Sequence, residues 1–127
     1  MTSRSSLNDV VGPFFDRAGL RAWLGWTETR LEELVAGAHV IQLTTADGTE
    51  VFPRYQFDDR GTPLPHLPEL WPLLAGAYGP WSAAAWLNAP DPDGCGRTAA
   101  DILRNGDDEQ VAAVIREARH DAGRMRF

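Results

Sequence analysis

Lysine is absent from this chain of 127 residues, so that arginine supplies all of the fixed positive charge. Twelve arginines stand against 18 acidic residues, and the formal net charge is -6. The acidic excess is shared evenly between the two halves of the chain. A protein that binds nucleic acid mainly by neutralising phosphates shows a basic patch in its sequence. The composition therefore weakens the case for autonomous DNA binding.

Cysteine and histidine are also scarce, with Cys95 alone and three scattered histidines, His39, His66 and His120. One cysteine excludes an internal disulfide, and this set does not form a usual zinc site. No apolar run is long enough for a signal peptide or a membrane span. We therefore expect a cytoplasmic protein with no membrane contact and no metal.

The sequence motifs of the common enzyme classes are absent too. There is no G-x-S-x-G, Walker A, H-E-x-x-H or G-x-G-x-x-G segment. A Gly-Cys-Gly turn at residues 94–96 and the acidic pairs of the loops are explained by turn formation and helix capping. We expect no catalytic residues and no cofactor, and hence a binding protein rather than an enzyme.

In the first half of the chain, apolar spacing predicts two helices joined by a tight turn. The first runs from about Pro13 to Leu24, and the second, 28–36, is capped by Thr27 and ended by Gly37. Two β-rich runs follow, separated by an Asp-Gly turn at residues 46–49, which predicts a hairpin. Because Pro53 lacks an N–H, the second strand should be an edge strand or be bulged there.

The second half of the chain reads as helical. Predicted helices span 66–77, 81–88, 98–104 and about 107–121, and Pro72 should delay or kink the first of them. The predicted fold is therefore mainly α, with a helix–turn–helix-like part and its hairpin at 8–62 and a small helical domain at 63–127.

A helix–turn–helix followed by a hairpin is the element order of winged-helix DNA-binding proteins. The candidate DNA-binding residues are Thr27, Thr29, Arg30, Arg54 and Arg60, the last two contacting the backbone from the wing. The glutamates at 28, 32 and 33 would oppose phosphates on this face. The alternative is a helix pair that only packs the core.

The second half also contains an ordered series of short motifs. Trp81-Ser82-x-x-x-Trp86-Leu87 precedes a Pro/Gly loop, Gly96-Arg97-Thr98-Ala99-x-Asp101-Ile102-Leu103 and then Gly106-Asp107. This series resembles the toxin-binding domain of Xre/MbcA/ParS-type antitoxins, with Asn88, Gly96, Arg97, Leu103 and Val111 at matching places. The chain departs from the family pattern at Ala99, where a proline is usual.

This resemblance implies a type II antitoxin that covers the active site of a RES-domain toxin, an NAD-degrading enzyme. Such a protein works in a hetero-oligomer with its toxin or as a homo-oligomer, and many relatives bind promoter DNA as part of the complex. The residues expected to bind the toxin are Trp81, Trp86, Arg97, Arg116, Arg119, His120, Arg124 and Phe127. The two tryptophans either divide between core and interface or both fill the core, and the last helix is either an interface or a solvated face.

Overall fold

The computed structural model describes residues 11–90 and 97–124. Within them the chain forms a three-stranded antiparallel sheet, one short 3-10 helix and six α-helices. In chain order the elements are β1 (Phe14–Asp16), α1 (Arg17–Leu24), α2 (Glu28–Ala36), β2 (Leu43–Thr44), β3 (Glu50–Pro53), the 3-10 helix Arg54–Gln56, α3 (Leu67–Tyr78), α4 (Pro80–Asn88), α5 (Ala99–Asn105) and α6 (Asp108–Arg124). The prediction of a mainly α fold with a helix–turn–helix and a hairpin near the N-terminus is confirmed.

The chain before α1 is a strand, so the prediction of a helix from Pro13 is wrong for its first residues. The Asp16 carboxylate accepts a hydrogen bond from the Gly19 N–H at 2.6 Å, which fixes the start of the helix at Arg17. Phe14 and Phe15 are thereby left extended and pair with β3. Successive residues of a strand point to opposite faces, so Phe14 and Phe15 contact two different clusters of buried side chains.

The sheet has the order β1-β3-β2, which makes β3 the central strand. The prediction of an edge strand at Pro53 is therefore wrong, and the reason is its position in the strand. Pro53 is the last residue of β3, opposite Phe14, and the Arg54 N–H donates to the Pro13 carbonyl at 3.0 Å. The hydrogen bonding between β1 and β3 thus continues beyond Pro53, whose missing N–H removes only one donor at the end of the strand.

Local capping sets the ends of α2 and α5 where the sequence predicts them. The Thr27 hydroxyl accepts from the Arg30 N–H at 3.0 Å, and Gly37 ends α2. Thr98 and Asp101 form the predicted capping box of α5. In α3 the helix starts at Leu67 and includes Pro72, so that this proline does not delay it. The last helix, α6, continues three residues beyond the predicted end at Asp121.

Two clusters of buried side chains support these elements. The smaller one lies under α1 and α2 and is formed by Leu20, Leu31, Val40, Phe52 and Phe57. The larger one is built mainly from α3, α4, α5 and α6, but it also contains Val11, Ile41 and Leu43. The predicted division near residue 62 lies in the turn-rich segment after the 3-10 helix, and the larger core extends across it.

The segment after β3 joins the two cores. Gln56 is completely buried, and its amide accepts from the Ile41 N–H at 2.7 Å and donates to the Ile41 carbonyl at 2.9 Å. The Tyr55 hydroxyl donates to the Ala84 carbonyl at 2.7 Å, and burial raises the pKa of Tyr55 above its ordinary value. Arg104 donates to the Tyr55 carbonyl at 2.8 Å. These bonds tie the 3-10 helix to Ile41, to α4 and to α5.

Replacing Gln56 by leucine should lower the free energy of unfolding by about 2–4 kcal/mol, because both backbone groups of Ile41 would lose their partner in a buried place. Urea unfolding followed by circular dichroism measures this change. The matched control is Gln42→Leu, since the Gln42 amide bonds to Glu50 in a part-buried place and its loss should cost less than about 1 kcal/mol. Equal effects of the two substitutions would contradict the role given to Gln56.

Candidate functional site

The helix–turn–helix consists of α1, the turn 25–27 and α2. Gly25 has a φ of 69°, the left-handed region that favours glycine, and its N–H closes α1 on the Arg21 carbonyl at 2.8 Å. Leu20 from α1 and Leu31 from α2 are completely buried in the same cluster, the smaller of the two cores. The pair is therefore held at a fixed angle by a shared core, with the N-terminal turn of α2 at the surface.

Arg17 holds this unit together at its polar edge. Its guanidinium bonds to Glu28 and also contacts Glu50 at 3.1 Å and Glu32 at 3.5 Å. Arg21 adds a bond to the second oxygen of Glu28 at 2.8 Å. The hydrogen bond with Glu28, together with the charges of the three glutamates, raises the pKa of Arg17 above its ordinary value. We call this set of two arginines and three glutamates the arginine clasp.

The clasp engages two of the three carboxylates that the sequence places on α2. Glu28 and Glu32 face Arg17, while Glu33 has no ion pair in the described part of the chain. Thr29 and Arg30, both candidate DNA-binding residues, are exposed on α2. Thr27 is exposed as well, but its hydroxyl caps the helix. The outer surface of α2 therefore carries less free negative charge than the sequence suggests.

The hairpin turn does not contain the arginines that the sequence assigned to a wing. It spans Thr45 to Thr49, and the Asp47 carboxylate organises it by accepting bonds from both threonines, which lowers the pKa of Asp47. Arg54 lies beyond β3 in the 3-10 helix, and Arg60 lies in the following turn. The location of these two residues in a wing is wrong, because the hairpin closes earlier than residue 54.

Arg54 instead borders a cleft of about 420 Å³ between the helix–turn–helix and α4. Its guanidinium lies 5.0 Å from the centre of the Phe15 ring. Trp23 stacks on Phe15 with ring centres 5.1 Å apart and is 45% exposed. Among the described residues, no other large apolar side chain is exposed to this extent.

Trp81 and Trp86, the two tryptophans predicted to bind a toxin, are half-buried and make contacts inside the molecule. The Trp81 indole donates to the Thr44 carbonyl at 3.0 Å and packs edge-on to Phe14 at 5.8 Å. The Trp86 indole donates to the Asp121 carboxylate at 3.1 Å. Their N–H groups therefore tie α4 to the hairpin and to α6, and toxin contact by either residue stays a prediction.

The remaining toxin-binding candidates lie mostly along α6. Arg116, Arg119, His120 and Arg124 are all exposed. Spacings of three and four residues place them on one side of the helix, opposite the buried Val114 and Ala118. Arg119 bonds to Glu69 of α3 at 2.7 Å. Arg97 is half-buried before α5, whereas Phe127 and Cys95 lie outside the described residues.

Within residues 11–90 and 97–124, no group of three metal-binding side chains is close enough to hold an ion. In the same residues, no helix combines the length and apolar character that crossing a bilayer requires. Sequence reasoning missed the arginine clasp. Arg17 is 11 residues from Glu28 and 33 from Glu50, separations at which no sequence pattern reports a contact.

No protein-family model matches this chain, and a search of the curated proteins finds no relative. Among solved structures, the chain is similar to one determined by NMR for a protein named Rv2175c, with a TM-score of 0.67 and 24% sequence identity. The match covers 87% of this chain and 81% of that one. At this identity the likeness shows the fold alone.

Replacing Arg17 by glutamine should lower the free energy of unfolding by about 1 kcal/mol at low salt, because three glutamates would lose their shared partner. The loss should shrink in 1 M salt (Debye length about 3 Å), where exposed charges are screened. Urea unfolding at both salt concentrations measures it. Arg116→Gln is the control, since Arg116 is exposed and has no ion pair in the described part of the chain. A loss that is independent of salt would contradict the clasp.

Proposed function

We propose that this protein is a winged-helix DNA-binding protein of the cytoplasm. The observation that carries the proposal is the order of elements, β1-α1-α2-β2-β3, combined with the sheet order β1-β3-β2. In winged-helix domains a short strand before the helix–turn–helix completes a sheet with the hairpin, and the second helix enters the major groove. In this chain that second helix is α2.

The local charge supports this assignment although the whole chain is acidic. Between residues 17 and 36 three arginines balance three glutamates, whereas the complete chain has a net charge of -6. The arginine clasp turns two of those glutamates toward α1 and β3. The helix–turn–helix as a whole is thus close to neutral, although α2 alone has three glutamates and one arginine, and few arginines remain to contact phosphates.

The affinity for DNA should accordingly depend on salt concentration only weakly compared with other DNA-binding proteins. With about three phosphate contacts, the logarithm of the association constant should fall with the logarithm of salt concentration at a slope of about -3. Fluorescence anisotropy can measure this with a labelled duplex of about 20 base pairs, two helical turns, taken from upstream of the protein's own gene. Absence of binding even at low salt would contradict the proposal.

A carboxylate added to the exposed surface of α2 should abolish most of this binding. Thr29→Glu should weaken the complex by about tenfold or more, since the new charge would face base edges and phosphates. The matched control is Ala113→Glu, which adds the same charge at an exposed position of α6. Equal losses from both substitutions would show that α2 is not the binding surface.

A second candidate function is neutralisation of a RES-domain toxin, as the resemblance of residues 80–121 implies. The observation that favours it is the exposed side of α6 that carries Arg116, Arg119, His120 and Arg124, although Arg119 pairs with Glu69 and Arg124 lies 3.9 Å from Asp121. Arginine is enriched among the residues that dominate protein interfaces. Because α6 and α2 are different surfaces, the two functions are compatible in one complex.

Co-expression with a RES-domain toxin from the same genome tests this second function. The unaltered protein should rescue growth, and the combined substitution of Arg116 and Arg124 by alanine should reduce rescue. Arg30→Ala is the control, because it changes α2 alone and should leave rescue intact. Failure of the unaltered protein to rescue growth, or to bind the toxin in a pull-down, would contradict toxin neutralisation while leaving DNA binding unaffected.

A further inference from the structure

We propose that Arg30 and Glu33 of α2 determine the sequence specificity of this protein, by reading a guanine and a cytosine in the major groove. This inference rests on the proposed DNA-binding function and deepens it. The structure leaves two side chains of α2 with strong and opposite hydrogen-bonding character outside the arginine clasp. Their chemistry limits which bases they accept.

The packing of α2 against the smaller core determines which of its side chains are available to contact DNA. Leu31 is completely buried, and Leu34 and Val35 are half-buried against the same core. The exposed positions of the helix are therefore the remaining ones, Glu28, Thr29, Arg30, Glu32, Glu33 and Ala36.

The clasp then removes two polar groups from this choice, and the helix cap engages the neighbouring Thr27. Glu28 and Glu32 bond to Arg17, and the Thr27 hydroxyl bonds to the Arg30 N–H. In the part of the chain that the structure describes, the side chains of Arg30 and Glu33 have no hydrogen bond or ion pair. These two groups would consequently reach DNA without first breaking a contact within the protein.

The chemistry of each group favours one base. A guanidinium donates two parallel hydrogen bonds, which match the O6 and N7 acceptors of guanine. A carboxylate only accepts, so it is repelled by phosphate and by the O6 and O4 acceptors of guanine and thymine. The amino group of cytosine is its usual partner in the major groove. Glu33 thus disfavours DNA sequences that lack a cytosine at its contact position, and its negative charge lowers the affinity for DNA in general.

The spacing of the two residues fits neighbouring bases. Three residues of helix rise about 4.5 Å, while successive base pairs are about 3.4 Å apart. Because residues three apart lie on adjacent parts of the helix surface, Arg30 and Glu33 would read adjacent base pairs. The preferred site should therefore contain a guanine and a cytosine at neighbouring positions at its centre of contact.

Selection from a randomised duplex library tests this inference, with about ten base pairs varied, one helical turn. The unaltered protein should enrich sequences with a fixed guanine and a fixed cytosine in neighbouring positions. Glu33→Gln should change the preference at the cytosine position to adenine, because a glutamine amide bonds to adenine N6 and N7. Arg30→Ala should weaken binding to the selected site about ten- to a hundredfold and relax the preference for guanine.

Glu32→Gln is the matched control, since it removes one charge from the same helix but alters a group held by the clasp. It should leave the base preference unchanged. If the unaltered protein enriches no sequence at low salt, the proposed function fails and this inference fails with it. If sequences are enriched but Glu33→Gln selects the same cytosine, the inference alone is overturned.

Discussion

The pairing of the Gln56 amide with both backbone groups of Ile41 fixes the point where the two cores meet. Val40 belongs to the smaller core and Ile41 to the larger one, while Phe57 and Tyr55, on either side of Gln56, divide in the same way. An amide with no exposed surface needs both of its bonds, because an unpaired buried polar group costs about 1–3 kcal/mol. The two segments therefore have one register, and with it the helix–turn–helix has one orientation relative to the later helices.

The contacts of the two tryptophans follow from this junction. Trp81 reaches the carbonyl of Thr44 at the end of β2, so α4 supports the base of the hairpin. Trp86 and Asp121 then join α4 to α6. In this arrangement the C-terminal helices support the sheet, and the indole N–H groups of Trp81 and Trp86 make contacts within the molecule. Among the described residues, the outer sides of α2 and α6 present exposed polar side chains to a partner.

The parts of the fold that could be predicted from the sequence are those set by neighbouring residues. Thr27 caps the helix that begins beside it, and Thr98 and Asp101 form a box within one turn. The spacing of Phe14 and Phe15 predicts a helix, but the Asp16 cap starts the helix after them, and β3, some 37 residues later, pairs with them as a strand. The clasp was equally inaccessible, since Arg17 meets glutamates from both α2 and β3. Long-range pairing decides these features, and one sequence does not report it.

Electrostatics explains how an acidic chain could carry the DNA-reading helix that we propose. Non-specific binding to DNA depends almost entirely on phosphate neutralisation. A chain with a net charge of -6 offers little such neutralisation, so we expect its general affinity for DNA to be low. Specificity, however, is the ratio of the affinities for the right and the wrong sequence, and base-edge contacts set it. A recognition helix with one free guanidinium and one free carboxylate would lose affinity for every sequence, but it would lose least where both groups find partners. A low positive charge on the surface of α2 would therefore favour discrimination between DNA sequences over tight binding to all of them.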